Sequence, residues 1–238
     1  MPSYRAPGSD SRRSVFLVRA RTTGAQDREA GRNYISQATL DWLIDLSTRF
    51  ETAHNVVPEK LGERVREVEE RNIALNLLKT YLRDLWEVLR RRVRRLNQPA
   101  GVLGHYQLLT GGISPNPSTS DEWLALAGRV IEGDAQAVAA GYEPAVCPSA
   151  AQVQVVLEAA IKQVDDVAPA DHAYDEAQAA VETLRPEADE LIQEVMDELR
   201  FNLRKLDAPS QRRIMRLYGA RFRYLPGEPA DPDDEGSE

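Results

Sequence analysis

Leu82–Pro99, LRDLWEVLRRRVRRLNQP, lies without a gap over Ile192–Pro209, IQEVMDELRFNLRKLDAP, and this internal similarity constrains the fold more than any other feature. Five of the 18 positions are identical: Leu89/Leu199, Arg90/Arg200, Arg94/Arg204, Leu96/Leu206 and Pro99/Pro209. Seven more are like for like, among them Leu82/Ile192, Leu85/Val195 and Val93/Leu203. With one residue of slack the match extends upstream. Trp42, Leu46, Phe50, Ala53, Val56 and Pro58 fall over Val153, Leu157, Ile161, Val164, Val167 and Pro169. A repeat of this length is sought before any motif, because each copy is one structural unit.

Within the first copy, Trp42, Leu46, Phe50, Ala53 and Val56 recur at helical spacing and make one apolar face. Leu61, Val65, Val68, Leu75, Leu78, Leu82, Leu85, Leu89 and Leu96 continue it, and the steps from Leu75 make a heptad seam. Pro58 and Pro169 stand where a new helix would begin. Each half therefore reads as a helix, a turn at Val-x-Pro, a long helix and a stop at Leu-(Asn/Asp)-x-Pro. An antiparallel hairpin with one apolar seam cannot bury that seam alone, so two should pack together. The expected fold is all-α: a duplicated antiparallel helical hairpin forming a four-helix-type bundle, with a central helical insertion and short extended terminal arms. Leu78, Leu82, Leu85, Leu89, Leu191, Val195 and Leu199 are its expected core.

The chain divides accordingly. Residues 1–33 read as a flexible basic arm, net +4, with room for a short strand at Val15–Val18. Residues 34–109 are the first hairpin and 110–147 a loop with an inserted helix. Thr119-Ser-Asp-Glu122 has the capping-box pattern that would open that helix. Residues 148–226 are the second hairpin with a short C-terminal helix, and Pro186 should kink or break its long helix. Residues 227–238 form an acidic tail, disordered by composition, with six acids and no base.

Net charge is -8 over 238 residues, which disfavours general binding to nucleic acid or an anionic membrane surface. No apolar run approaches the roughly 20 residues of a membrane helix. Ser11–Val18, SRRSVFLV, has the paired arginines of an export signal, but the apolar stretch of about 7–15 residues that such a signal needs stops at Val18. The expected location is the cytoplasm. Cys147 is the lone cysteine, so no internal disulfide can form. His54, His105 and His172 are too far apart for a His-His ligand pair. A di-metal carboxylate bundle would want two Glu-x-x-His motifs, and only Glu51–His54 is present. His105, Ser114 and Ser118 lack a triad or nucleophile-elbow context. No catalytic, cofactor or metal site is expected.

Arg90, Arg91, Arg92, Arg94 and Arg95 crowd one helix end. Arg90, Arg94 and Arg95 have basic counterparts in the second copy, and cations at a helix C-terminus are favoured by the helix dipole. Arg91 and Arg92 are the excess and are candidates for a protein contact. A second candidate surface interleaves Arg216, Arg221 and Arg223 with Tyr218, Phe222 and Tyr224. Val15 and Leu17 are candidates on the N-terminal arm. The leading functional expectation is a non-enzymatic structural or scaffold protein that self-associates through its terminal arms and helical faces. The alternatives are an adaptor that binds another protein through the basic–aromatic C-terminal surface, and an enzyme with a site not recognisable in the sequence. The expected partner is a second copy or another protein.

Overall fold

Two helices dominate the computed structural model, which describes residues 3–224: α2, Gln37–Arg95, and α5, Ala150–Leu203. Around them lie β1 (Ser3–Arg5), α1 (Asp10–Glu29), α3 (Val102–His105), α4 (Ser120–Ala139), α6 (Ala208–Leu217) and β2 (Arg221–Arg223). A single 3-10 turn occupies Thr110–Gly112. The helical content agrees with the all-α expectation, with one two-stranded ribbon of β1 and β2 among the described residues.

The turns expected at Pro58 and Pro169 are absent, because both prolines lie inside helices, as does Pro186. A proline in a helix interior forfeits one backbone hydrogen bond and crowds the preceding turn, a cost of about 3 kcal/mol. The antiparallel hairpins of the sequence reading are thus replaced by continuous helices. The chain forms two compact units: residues 1–60 with 174–238, and residues 61–173. Pro58 falls close to the first change of unit and Pro169 close to the second.

In the first unit α2 and α5 run antiparallel, since partner numbers on α5 fall as those on α2 rise. The Thr39 hydroxyl donates to Glu198 at 2.7 Å, and the Trp42 indole donates to Glu187 at 3.1 Å. The core joins Leu43, Leu46 and Phe50 to Leu191, Val195, Leu199 and Leu203, and is closed by Phe16 and Leu17 of α1 and by Met215 and Tyr218. In the second unit Leu78, Leu82, Leu85, Trp86 and Leu89 pack with Val153 and Leu157 of α5, Trp123, Leu126 and Val130 of α4, and Tyr106. All seven residues expected in the core are at most 1% exposed. Leu61, Val65 and Leu96 are not part of it and are exposed. The heptad register therefore holds only where a second helix covers it.

The largest departure is in residues 1–33. Residues 10–29 form a helix, capped by the Ser9 hydroxyl on the Arg12 amide, rather than a flexible arm with a strand at Val15–Val18. Phe16, Leu17, Ala20, Gly24 and Asp27 recur at helical spacing and are its buried face. Two bidentate ion pairs of opposite sense dock its first turn on α5: Arg185 donates to both oxygens of Asp10 at 3.0 and 2.9 Å, and Arg13 to both oxygens of Asp189 at 2.8 and 2.9 Å. The Arg185 hydrogen bond holds the Asp10 carboxyl below the usual carboxylate range.

α1 and α4 are built alike. Each has 20 residues and ends in an Ala-Gly pair whose glycine takes a left-handed conformation, φ 73° at Gly31 and 88° at Gly141. The backbone bonds that close the two ends also correspond: Arg32 N to Asp27 O and Tyr142 N to Ala137 O, with Gly31 N to Arg28 O and Gly141 N to Val138 O. α4 opens on the expected capping box of Thr119 and Glu122.

Gly133 lets α4 approach the end of α3: a Cβ there would stand 1.7 Å from the His105 carbonyl oxygen. Gly128, on the same helix, faces open space. Gly133→Ala should therefore destabilise by at least about 1–3 kcal/mol. Gly128→Ala should stabilise by up to about 1 kcal/mol, the difference in helix propensity. Urea denaturation of the two variants checks this, and equal midpoints would show that the close approach is wrong.

Candidate functional site

Tyr218 directs the C-terminal segment. The Asp207 carboxylate caps α6 by accepting from the Ser210 amide at 3.1 Å. α6 buries Met215 and ends at Tyr218, which is fully buried and donates its hydroxyl to Asp27 on α1 at 2.9 Å. Asp27 also accepts from Arg32, at 2.9 Å, so its buried charge is paired. The Thr23 hydroxyl donates to the Leu217 carbonyl at 2.9 Å and adds a second tie between α1 and α6. The chain then reverses at Gly219, where φ is 98° and a Cβ would lie 3.0 Å from Phe16 Cα. Only glycine combines that backbone conformation with that approach.

The reversal delivers β2 to β1 in antiparallel register, Tyr4 opposite Phe222, Arg5 opposite Arg221 and Ser3 opposite Arg223. Alternate residues of a strand face opposite ways. Tyr4 and Phe222, their rings edge to face at 6.3 Å, pack on the core. Arg5, Arg221 and Arg223 therefore share the other face. Like charges directly opposite each other across a strand pair are destabilising, and Arg5 and Arg221 are such a pair.

A cavity of about 590 Å³ opens beside this ribbon, within the usual range for ligand sites. Among the described residues it is lined by Arg5, Arg12, Arg19, Arg216, Arg221 and Arg223, with Ala6, Pro7, Val15 and Phe222 among the others, and none of these lining residues is a carboxylate. Arg12, Val15 and Arg19 come from the exposed face of α1, at steps of three and four. Arg216 lies over the rings of Phe222 and Tyr224, at 5.6 and 6.0 Å, and donates to the Tyr224 hydroxyl. The side chains of Arg5, Arg12, Arg19, Arg221 and Arg223 have no carboxylate partner among the described residues. A concave wall of one sign concentrates its field, so the cavity attracts anions.

Of the surface residues singled out in the sequence, Val15, Arg216, Arg221, Phe222 and Arg223 are brought together here, with Tyr224 beside them. Leu17 and Tyr218 are core residues and present no surface. Arg91 and Arg92 belong to the other unit. Arg91 pairs with Glu87 at 3.0 Å, and Arg92 donates to the Pro144 carbonyl at 2.8 Å. Arg90 is also engaged, with Glu87, the Gly112 carbonyl and Ser114. The arginine run that is densest in sequence is thus substantially bonded within the fold. Arg5, Arg12 and Arg19 were missed, although the i, i+3, i+7 spacing of Arg12, Val15 and Arg19 carried the signal.

Two other cavities hold fewer cations. One, of about 620 Å³, mixes Arg28 with Glu194, Asp197 and Glu198. The other, of about 760 Å³ in the second unit, is lined by glycines, Val93, Leu103 and Leu108 with Arg90 and Arg94. His54 donates to or accepts from the Ser11 hydroxyl at 3.3 Å and stacks on Phe50. No group of three candidate metal ligands occurs among the described residues, and no helix there is long and apolar enough to cross a membrane. No family model, curated protein or solved structure matches the chain.

The second unit also buries a tyrosine hydroxyl, at a different register on its helix. Tyr106, after α3, donates to Asp134 on α4 at 2.7 Å, and the same carboxylate oxygen accepts from the Ala145 amide at 2.8 Å. Burial, and then Asp134, pushes the Tyr106 hydroxyl up to about 12; burial and Asp27 raise Tyr218 further still. Burial also raises Tyr4 to about 12. Because the folded values exceed the ordinary value of about 10, the stability these groups contribute is present below pH 10, and that of Tyr4 and Tyr106 is lost as pH rises through about 12. An absorbance titration of the eight tyrosines should show three that ionise only with alkaline unfolding. Tyr218→Phe should lower stability by about 1.5–3 kcal/mol, the value of a hydrogen bond to a charged group, read by urea denaturation.

Proposed function

We propose that the protein is a binding module, an adaptor that takes an acidic segment of a partner protein into the arginine cavity of its first unit. The observation that carries this is the concentration of cations there: six arginines line one cavity, and five have no carboxylate partner among the described residues. Guanidinium groups suit carboxylates, which they bind in a planar, two-pronged geometry. Nucleic acid fits less well. Single-stranded binding relies on free aromatic faces for stacking, whereas Arg216 already lies over Phe222 and Tyr224. A cavity of about 590 Å³ also admits a few side chains rather than a duplex.

The two units read as products of duplication followed by divergence. α1 and α4 have equal lengths and matching ends, and each unit buries a tyrosine hydroxyl on an aspartate. At the same distance from the two Ala-Gly ends, Arg12, Val15 and Arg19 correspond to Glu122, Ala125 and Arg129. The cation-rich face is thus particular to the first unit, as expected of a surface acquired for binding.

Self-association is the second reading. Strand exchange through Val15–Val18 no longer supports it, since those residues are helical and β1 pairs with β2 of the same chain. What favours it is the exposed face of α2 that carries Ile73, Leu77 and Val88. If that face joins copies, sedimentation at micromolar concentration will show an oligomer that Ile73→Glu with Leu77→Glu reduces to a monomer. A monomeric parent removes this reading.

The adaptor reading is tested with fluorescein-labelled decaglutamate, titrated with the full chain at low salt and followed by anisotropy. Arg12→Glu with Arg19→Glu, both at exposed helix positions, should weaken binding at least tenfold without lowering the melting temperature. Binding should also fall steeply with salt, as screening requires. Unchanged binding by the double variant would overturn the reading. Tighter, equally arginine-dependent binding of a 20-nucleotide single strand would replace it with a nucleic-acid site.

A further inference from the structure

Resting on the reading of the cavity as a site for acidic polypeptide, we infer that the chain's own residues 225–238 are its resident ligand, which an acidic partner must displace. Those residues lie outside the described part, and the inference stands on the cavity, on charge and on connectivity. The described chain stops at Tyr224, whose hydroxyl accepts from Arg216, one of the lining residues. Arg221 and Arg223, the outer residues of β2, are two more. The described chain therefore ends at the edge of the cavity.

Their sequence is LPGEPADPDDEGSE. It carries Glu228, Asp231, Asp233, Asp234, Glu235 and Glu238 and no basic residue, so a net charge of -6, against -8 for the whole protein, belongs to the fourteen residues after Tyr224. Six of the described lining residues are arginines, as many as there are acids in this segment. Fourteen residues reach at most roughly 50 Å when extended, ample for a cavity only about 10 Å across if 590 Å³ is taken as a compact volume. A segment tethered this closely competes at an effective concentration on the order of millimolar. A free acidic peptide of equal charge at micromolar concentration cannot match that. A true partner must carry more charge, fit the apolar side of Val15 and Phe222 better, or engage a second surface.

The ribbon gives a physical reason for an occupant. Arg5 and Arg221 oppose each other across the strand pair, with Arg223 on the same face. Carboxylates placed between them turn that repulsion into attraction. The tail thereby acts as a threshold, favouring dense acidic partners over weak ones.

The test uses the full chain with the tail neutralised by E228Q/D231N/D233N/D234N/E235Q/E238Q, and decaglutamate as the probe. Neutralisation should tighten binding at least tenfold relative to the parent. R12E/R19E in the neutralised background should abolish that gain. Equal binding by parent and neutralised chain, with R12E/R19E still weakening the parent, would overturn the inference and leave the adaptor reading standing. A gain that survives R12E/R19E would also overturn it, because the tail would then act only through total charge. If R12E/R19E does not weaken the parent, the cavity reading fails and takes this inference with it.

Discussion

The hydroxyl of Tyr218 on the carboxylate of Asp27 decides where the C-terminal segment goes, and the cavity depends on that direction. The pair is buried, so neither group can exchange its partner for water without local unfolding. A buried carboxylate left unpaired is costly, and breaking its hydrogen bonds costs more than the bond itself contributes. With Arg32 on its other oxygen, Asp27 is fully engaged and holds the end of α6 against α1. Gly219 then turns the chain back past Phe16, and β2 has one place to go. Arg216, Arg221 and Arg223 are thereby set opposite Arg12 and Arg19 of α1. The four ion-pair bonds between α1 and α5, through Asp10, Arg13, Arg185 and Asp189, fix the other wall.

The core was legible in the sequence because long helices that bury a seam repeat apolar residues at heptad spacing. Leu78, Leu82, Leu85 and Leu89 satisfied that pattern and are buried. Leu61 and Val65 satisfied it equally and are exposed, because periodicity reports a face and not what covers it. Pro58 and Pro169 were read as turns from local chemistry alone. Each falls near a change from one unit to the other, so the signal was positional while the element was wrong. The proline ring disfavours the preceding helical turn, yet both helices continue through it. α1 was illegible for a different reason. Of its five buried residues one is glycine and one aspartate, and its exposed face is crowded with arginine, so its apolar period is faint.

The two arginine-rich stretches separate charge density in sequence from available charge in the fold. Arg90, Arg91 and Arg92 are neighbours in the chain, but a helix points neighbours in different directions. Each finds its own acceptor among Glu87, Gly112, Ser114 and Pro144. The lining arginines come from four separated segments and converge with no acid among the described lining residues. Net charge, which is dominated by the acidic residues after 225, hides this convergence entirely.

A strand pair that sets Arg5 against Arg221 is a local conflict, in contrast to places where local choices agree with the fold: caps at Ser9, Thr119 and Asp207, glycine at the left-handed turns at Gly31, Gly141 and Gly219, and a paired charge on the buried Asp27. Such local conflicts are expected at functional sites, where stability is given up for binding. The ribbon tolerates its repulsion because its other face, Tyr4 and Phe222, packs on the core. Solvent screens the remainder only partly in a concave site. An anion that enters both relieves the repulsion and gains the field of all six guanidinium groups. The same residues that weaken the ribbon should therefore stabilise it when an anion is bound, and this coupling between charge relief and capture is the physical basis of the proposed acidic occupant.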